Sequence, residues 1–356
     1  MEPSGRAAHV RVAGPTLVAV SDLRWPPELA EARLHVVTGK GGTGKTTLAA
    51  ALALALAAGG RRTLLVEVEG RQGIAQLFDT PPLPYAEQRI AVAPDGGEVR
   101  GLSVDAEAAL LEYLEMFYNL GIAGRTLRRM GAIEFATTLA PGLRDVLLSG
   151  KVKECVGRTV GEDGRRGRRV PLYDAVVLDA PPTGRVVKFL DVTKAMGTLA
   201  RTGPIHTQSE GVVELLHSSQ TVIHLVTQLE DLPVQETLDT LGEISEAGLP
   251  AGAVLVNRIR PSRLPESALS AAGNGLGSES LRTGLEAAGL FLKDDEVDGL
   301  ISETAEHAER VRIEGAVRSR LDAAGLPQID LPELAEGVDL GGIYELAELL
   351  REQGVH

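Results

Sequence analysis

The nine residues 39–47 constrain the fold of this chain more than any other stretch. They read G-K-G-G-T-G-K-T-T and contain the pattern G-x-x-x-x-G-K-[ST] in full. A short apolar run, residues 34–37, comes before them, and an eleven-residue apolar segment, residues 48–58, comes after them. Strand, glycine-rich turn and helix is the context in which this pattern forms a phosphate-binding loop. We therefore expect a nucleoside triphosphate to bind at this turn.

Within the loop, two side chains carry most of the expected chemistry. Lys45 is predicted to reach the β- and γ-phosphates, and the Thr46 hydroxyl is predicted to bind Mg²⁺. Backbone N–H groups close around the phosphate oxygens, and the following helix adds the positive end of its dipole. The whole loop is predicted to contact the nucleotide: Gly39, Lys40, Gly41, Gly42, Thr43, Gly44, Lys45, Thr46 and Thr47.

Composition narrows the class of protein. Of the 356 residues, 44% are hydrophobic, which is enough for the core of one large α/β domain. The 36 basic and 49 acidic side chains give a formal net charge of −13, so non-specific binding to nucleic acid is disfavoured. The one cysteine, Cys155, cannot form a disulfide within the chain and suits a buried position in a reducing compartment.

Membrane and export signals are not evident in the sequence. The first residues mix Arg, Pro and Gly with scattered apolar residues and lack the continuous apolar stretch of a signal peptide. The apolar run 48–58 is shorter than the roughly 20 residues that a membrane-spanning helix needs, and we expect it in the core. The sequence therefore predicts a soluble, cytoplasmic protein without stable insertion into a membrane.

Apolar and β-branched runs predict the strands of a single sheet. Helical periodicity separates these runs, so we expect a doubly wound, mainly parallel α/β sheet of the P-loop nucleoside-triphosphatase type. The nucleotide then lies at the carboxyl ends of the strands. The predicted strands are residues 34–37, 63–68, 173–178, 221–227, 252–256 and 328–331, followed by a closing helix over residues 343–350.

The chain is predicted to form one domain over residues 33–356, behind a weakly structured lead-in over residues 1–32. Helical periodicity over about 105–160 predicts a helical insertion. The Ser-, Gly- and Pro-rich stretch at about 261–280 predicts a mobile surface segment. Residues 161–169 are basic and rich in glycine, and a solvated hairpin tip is favoured there over a contact with nucleic acid.

A second motif follows the predicted strand at 173–178. Residues 179–184 read D-A-P-P-T-G. Asp179 is predicted to bind the Mg²⁺ shell, and the turn behind it can respond to the presence of a γ-phosphate. An acidic residue at a strand end is weak evidence alone. Together with the loop at 39–47, it favours a nucleotide-sensing switch over a simple turn.

Two features of the chain resemble the deviant Walker A ATPases, the group that contains the arsenical-pump and tail-anchored-protein targeting ATPases. The phosphate loop has a second lysine, Lys40, directly after its first glycine. Residues 179–190, D-A-P-P-T-G-R-V-V-K-F-L, look like the second switch of the arsenical-pump and targeting ATPases. Three further stretches are similar in the same order along the chain: residues 140–145, 226–237 and 254–258.

This resemblance implies a face-to-face dimer. Lys40 would cross the interface to the phosphates bound by the facing subunit, whereas a solvated loop lysine is the alternative. By the same analogy, Asn257 hydrogen-bonds the adenine and Pro332 lines its site. Capping of the next helix remains the alternative for Asn257, and a simple turn proline is the favoured interpretation of Pro332.

The first departure from the group concerns the switch after the second strand. Glu69 stands where the group has an Asp that helps to position the attacking water. Because a misplacement of about 1 Å can cost on the order of a hundredfold in rate, Glu69 is either a slow base or an incompetent one. A solvated Glu at a strand end is the alternative. Arg71, which is absent from the usual pattern, is a candidate contact to phosphate.

The cysteine content removes two properties of the group. The chain lacks the C-x-x-C that holds some of these dimers together through zinc, so surface complementarity and nucleotide must hold any dimer. Activation by arsenite needs several thiolates, which one cysteine per chain cannot supply.

The leading hypothesis is an ATP-hydrolysing dimeric switch. Lys40, Lys45 and Glu69 would promote hydrolysis, and the nucleotide state would change a helical surface that binds an unidentified protein client. Helices over residues 109–156 and 186–216 are candidates for that surface, although ordinary core packing explains their apolar residues equally well.

Two other functions compete with this hypothesis. The main alternative is a weakly hydrolysing regulatory subunit that pairs with a paralogous ATPase, which Glu69 and Arg71 motivate. A partition or cell-division positioning ATPase ranks third. The acidic residues of the C-terminal helix would be repelled by anionic lipids: Glu345, Glu348 and Glu352.

Overall fold

The structure is a computed structural model. It describes residues 25–68, 70, 72–118, 142–163, 168–191, 204–273, 275, 277–335 and 337–356.

An eight-stranded sheet organises the described part of the chain. Its spatial order is β10-β9-β8-β1-β7-β2-β4-β3, and β3 is antiparallel to β4, whereas the other neighbours are parallel. The predicted doubly wound, mainly parallel α/β sheet is therefore confirmed. The strands of this sheet are β1 (Leu34–Gly39), β2 (Arg62–Glu67), β3 (Gln88–Val92), β4 (Glu98–Ser103), β7 (Ala175–Asp179), β8 (Thr221–Thr227), β9 (Ala251–Ile259) and β10 (Gln328–Pro332).

A separate pair of strands, β5 (Thr159–Asp163) and β6 (Arg168–Pro171), forms an antiparallel hairpin. This pairing agrees with the hairpin expected around the basic stretch 161–169, whose residues 164–167 lie outside the described part.

Helices cover both faces of the sheet. They are α1 (Pro27–Ala30), α2 (Lys45–Ala57), α3 (Gly73–Leu77), α4 (Ala106–Tyr118), α5 (Leu143–Gly157), α6 (Thr183–Leu190), α7 (Pro204–Leu216), α8 (Asp231–Glu246), α9 (Glu266–Gly273), α10 (Ser278–Ala287), α11 (Asp294–Asp322) and α12 (Leu340–Glu352). None of the helices that the described residues form is both long and apolar enough to cross a lipid bilayer.

Helix α2 lies in the centre of one face. Its residues from Leu48 to Ala57 are all buried, which explains why this segment is apolar on every side. It packs against α12 and against the apolar face of the sheet. The helix that follows the phosphate loop is thereby fixed to the rigid core.

The opposite face carries α4, α5, α6 and α7. Their apolar side chains, which include Leu147, Val186 and Val212, share one cluster with buried residues of the sheet. Cys155 also lies in this cluster and is fully buried, as expected. Residues 119–141 of the expected helical insertion, and residues 192–203, lie outside the described part.

The structure adds detail to two predicted segments. Within the predicted lead-in, Trp25, Leu29 and Ala32 are buried and share the core cluster that contains α2. The segment at about 261–280 contains α9 and the start of α10, and its mobility stays a prediction.

Candidate functional site

The glycines of the phosphate loop are required by their backbone geometry. Strand β1 ends at Gly39 and helix α2 begins at Lys45, so the turn between them is five residues long. Gly42 and Gly44 have φ of 89° and 92°, a left-handed conformation that glycine adopts without strain. A Cβ on Gly39 would lie 2.2 Å from the Val226 carbonyl oxygen, and one on Gly44 would lie 2.3 Å from Nδ2 of Asn257.

The concave side of the loop is open. A Cβ on Gly41 or Gly42 would meet no described heavy atom within 4 Å. The residue before α2 is Gly44, which has no side chain to cap the helix, and the neighbouring Thr43 donates its hydroxyl to the Lys40 carbonyl at 2.8 Å. The first turn of α2 therefore presents its N–H groups and the positive end of its dipole to this space. An anion such as phosphate fits the arrangement.

Thr46 and Asp179 form the candidate Mg²⁺ site. The Thr46 hydroxyl donates to Oδ2 of Asp179 at 2.7 Å. Asp179 ends β7, and its register places it beside Val37 of β1 and Glu67 of β2. A hydroxyl and a carboxylate are hard oxygen ligands of the kind that Mg²⁺ prefers.

The protein supplies few ligands at this position. Among the described residues, no group of three or more His, Cys, Asp or Glu side chains is placed to hold a metal ion. Mg²⁺ usually takes one or two protein oxygens and completes its octahedron with waters and phosphate oxygens. The pair therefore fits an ion that binds together with a nucleotide.

Glu67 is a site residue that the sequence reasoning did not identify. Its carboxylate is buried and accepts the backbone N–H of Gln72 at 2.7 Å and that of Ile74 at 3.3 Å. Gly73 lies close to both Thr46 and Glu67. A Cβ on Gly73 would be 3.2 Å from Cγ2 of Thr46 and 3.9 Å from Oε2 of Glu67. Glu67 thus fixes the start of the segment 72–74 against the phosphate loop. The signal in the sequence was an acidic residue inside an otherwise apolar strand.

Lys40 is held by its own chain. Its Nζ lies 2.9 Å from Oε1 of Glu236 on α8, and both side chains are about one-third exposed (26% and 36%). The other carboxylate oxygen of Glu236 accepts the Thr183 hydroxyl at 3.3 Å. Glu236 therefore joins the phosphate loop to the D-A-P-P-T-G turn. It lies in the stretch 226–237 that resembles the family, but the sequence assigned it no role.

Comparison with known proteins identifies the family. Residues 32–208 match the family model described as anion-transporting ATPase. The chain is 59% identical over 336 residues to ATPase BagA of Mycobacterium tuberculosis, covering 94% of this chain and 97% of that protein. The chain belongs to the anion-transporting ATPase family.

More distant relatives carry related names. A putative arsenical pump-driving ATPase 2 of Aquifex aeolicus is 23% identical over 270 residues, covering 67% of this chain and 84% of that protein. An arsenical pump-driving ATPase of Acidiphilium multivorum is 23% identical over 334 residues, covering 86% of this chain and 53% of that protein. The resemblance drawn from Lys40 and the D-A-P-P-T-G turn is thus confirmed at the level of the family.

In this member of the family, Asn257 supports the phosphate loop from behind. Its Nδ2 donates to the Thr43 carbonyl at 2.8 Å, and its Oδ1 accepts the Arg258 N–H at 3.0 Å. Asn257 is buried, and Arg258 has a left-handed φ of 57°. The role in binding adenine that the resemblance implied for Asn257 stays a prediction.

Two cavities of about 710 Å³ adjoin the loop and the ends of the strands. The first is lined in part by Thr46, Thr47 and the segment 338–340. The second is lined in part by Arg258 and Glu333, the residues that follow Asn257 and Pro332. Pro332 itself pairs with Ile259 at the carboxyl end of β10, and its place beside an adenine stays a prediction.

Three predicted site residues remain, and the structure describes only Lys45 among them. Lys45 begins α2, and its Nζ is 3.5 Å from the Lys40 carbonyl. Glu69 and Arg71, which the sequence suggested as catalytic and phosphate-binding residues, lie outside the described residues.

Proposed function

We propose that this chain is a Mg²⁺-dependent ATPase that works as a dimer, in which the nucleotide state moves helices that bind a partner protein. The hydrogen bond from Thr46 to Asp179 carries this proposal. It places a hydroxyl and a carboxylate together at the mouth of an open, glycine-lined loop. That combination binds the Mg²⁺ complex of a nucleoside triphosphate. ATP is the proposed nucleotide because the relatives are named ATPases.

Each residue has a distinct part in the proposed reaction. The loop N–H groups and Lys45 would hold the phosphates, and bound Mg²⁺ would neutralise the charge that develops on their oxygens. Thr46 and Asp179 would hold that ion. Glu69 would orient the attacking water, and the rate of hydrolysis would depend on how closely its carboxylate approaches that water. The nucleoside would occupy one of the two cavities that flank the strand ends.

One link connects the site to the helical face. The Thr38 hydroxyl donates to the Pro181 carbonyl at 2.7 Å, which fixes the D-A-P-P-T-G turn to the end of β1. Helix α6 begins at Thr183, and its Val186 and Phe189 are buried in the cluster that contains α5. A shift of the turn on loss of the γ-phosphate would therefore move α6 against its neighbours.

A second link leaves from the segment that Glu67 holds. The Gln72 side chain accepts the Leu83 N–H at 2.7 Å and donates to the Leu83 carbonyl at 3.3 Å. Two residues later, the Tyr85 hydroxyl donates to Glu112 of α4 at 2.5 Å, and Lys151 of α5 donates to the same carboxylate at 2.7 Å. The two switch segments thus end on the same group of helices.

The dimer, the cytoplasmic location and the client are parts of the proposal. The dimer is supported by Lys40, which the resemblance assigns to the facing subunit's phosphates. The apolar residues of α4–α7 that the structure describes are mostly buried in the core, so a client-binding groove gains no separate support from them.

The alternative is a regulatory subunit that hydrolyses ATP weakly and pairs with a paralogous ATPase. Glu69 favours it, and so does the ion pair in which the lone chain holds Lys40 on Glu236. Steady-state ATP hydrolysis measured together with mass, with and without Mg-ATP, tests both ideas. Turnover with a nucleotide-dependent dimer supports the homodimeric switch. A Glu69→Asp variant that is much faster than a nearly inactive native chain supports the regulatory subunit.

A further inference from the structure

The contact between Glu236 and Lys40 does more than balance a charge. Glu236 stands on α8, outside both sequence motifs, and its two carboxylate oxygens bind different parts of the site. Oε1 holds the ammonium of Lys40 at 2.9 Å, and Oε2 accepts the hydroxyl of Thr183 at 3.3 Å. Thr183 is buried, and it is the first residue of α6. One carboxylate therefore connects the phosphate loop to the start of the helix in the second switch.

We propose that Glu236 is a positioning residue that restrains Lys40 within its own subunit until nucleotide binds. The inference rests on the proposed function, in which Lys40 serves the phosphates of the facing subunit. A lysine held on α8 cannot at the same time bind across an interface, so the ion pair must open before the dimer closes. Glu236 thereby sets the nucleotide concentration at which the two subunits associate.

The strength of the ion pair suits a reversible restraint. Both side chains are about one-third exposed, and ion pairs with this exposure contribute about 0.2–1 kcal/mol. A phosphate that carries more than one negative charge, held in an interface that excludes water, is a stronger partner for the ammonium. The restraint therefore favours the open state without preventing closure.

The contact with Thr183 makes the restraint respond to the nucleotide. Asp179 and Pro181 hold the turn that precedes Thr183, through the bonds to Thr46 and Thr38. A nucleotide that draws this turn toward its γ-phosphate would pull the Thr183 hydroxyl from Glu236. Glu236 would then lose one of the two contacts that fix its rotamer, and Lys40 would be released more easily.

The test compares Glu236→Gln with Glu243→Gln. The first variant keeps the size of the side chain and one acceptor oxygen for the Thr183 hydroxyl, but it removes the charge that holds Lys40. The second makes the same charge change on the same helix at an exposed position. Sedimentation across a titration of Mg-ATPγS gives the midpoint for dimer formation. We expect the Glu236→Gln midpoint to fall about 1.4- to fivefold below that of the native chain, because this range corresponds to the energy of such a pair. The Glu243→Gln midpoint should be unchanged.

Two further variants distinguish restraint from a general structural role. Glu236→Ala, which also removes the bond to Thr183, should lower the midpoint at least as far. In a Lys40→Ala background, Glu236→Gln should have no effect on the midpoint, whereas a structural effect would persist there. If the native chain dimerises with nucleotide and Glu236→Gln leaves or raises the midpoint, the restraint is wrong and the dimeric function stands. If the native chain does not dimerise with Mg-ATPγS, both are contradicted.

Discussion

The hydroxyl of Thr46 donates to the carboxylate of Asp179 at 2.7 Å, although 133 residues separate the two in sequence. Parallel strands bring them together, because β1 and β7 are neighbours and end at the same edge of the sheet. Each residue belongs to a separate motif, and the fold turns the two motifs into one site. The proposed Mg²⁺ role of this pair therefore has a direct test.

Removing either partner should weaken the metal-dependent part of nucleotide binding. We expect Thr46→Ala and Asp179→Asn to lower the affinity for Mg-ATP by about ten- to a hundredfold, the usual range for groups that hold or orient a metal ligand. Affinity for ATP in excess EDTA should change little. Calorimetric titrations with and without Mg²⁺ measure the two affinities. Equal losses in both conditions would contradict a metal role.

Gly44 should tolerate no side chain. Alanine there would need a left-handed φ of 92° and would place Cβ 2.3 Å from Nδ2 of Asn257. We expect Gly44→Ala to lower the free energy of unfolding by about 1–3 kcal/mol and to abolish nucleotide binding. Gly41→Ala is the matched control for stability, because a Cβ at that position meets no described atom within 4 Å. Equal melting temperatures for the two variants would show that the contact with Asn257 does not constrain the loop.

Glu67 should control how firmly the segment 72–74 is held. Replacement by alanine leaves the N–H groups of Gln72 and Ile74 without their acceptor, at a cost of about 1–3 kcal/mol. We expect Glu67→Ala to speed hydrogen exchange at these two amides, whereas Glu67→Gln, which keeps one acceptor oxygen, should have a smaller effect. If hydrogen exchange at these two amides is unchanged in Glu67→Ala, Glu67 does not hold the segment 72–74 in place.

The buried histidine pair should make the protein sensitive to acid. The Ala253 N–H donates to Nδ1 of His224 at 3.1 Å, so Nε2 of His224 carries the proton and lies 3.1 Å from Nδ1 of His35. His35 in turn donates from Nε2 to the Ala32 carbonyl at 3.1 Å. Both rings are thus neutral, and Trp25 stacks on them. Burial lowers the pKa of His35 to about 4 and that of His224 well below its usual value.

The sign of this effect follows from the unfolded chain, where histidine has a pKa of about 6.5. The stability that neutral His35 supports is complete above about pH 6.5 and declines as the pH falls toward 4. It amounts to about 3 kcal/mol over that window. Urea unfolding at pH 7.5, 6.0 and 5.0 measures it. A His35→Phe variant should lose less stability between pH 7.5 and 5.0 than a control such as His217→Ala at an exposed position. Parallel losses in the two variants would contradict the buried neutral pair.

The sequence predicted the elements that surround the phosphate loop because their signals are local. The strand before it, the apolar helix behind it and the D-A-P-P-T-G turn all appear where their motifs place them. Strands β3 and β4 were not predicted. Arg89, Glu98 and Arg100 interrupt their apolar pattern, and the pairing of β4 with β2 compensates for a weak local preference. The long helix α11 was missed because few of its side chains are buried.

The candidate site was only partly predictable for a similar reason. Asp179 and Thr46 carry motif signals, whereas Glu67 and Glu236 act through contacts that only the folded chain creates. Asn257 illustrates the same limit. The sequence suggested a ligand contact or a helix cap for Asn257, and the structure shows a different contact, a hydrogen bond to Thr43 from 214 residues away.

The most direct test of the central claim compares ATP hydrolysis by the native chain with that by Lys45→Ala, in Mg²⁺ and at equal protein concentration. We expect the native chain, alone or with a paralogous subunit, to release phosphate from ATP. We expect Lys45→Ala, folded to the same melting temperature, to be slower by about a hundredfold or more, because the loop then lacks the ammonium that stabilises the transferred phosphoryl group. Hydrolysis by Lys45→Ala at the native rate would contradict the claim that this loop is the catalytic site.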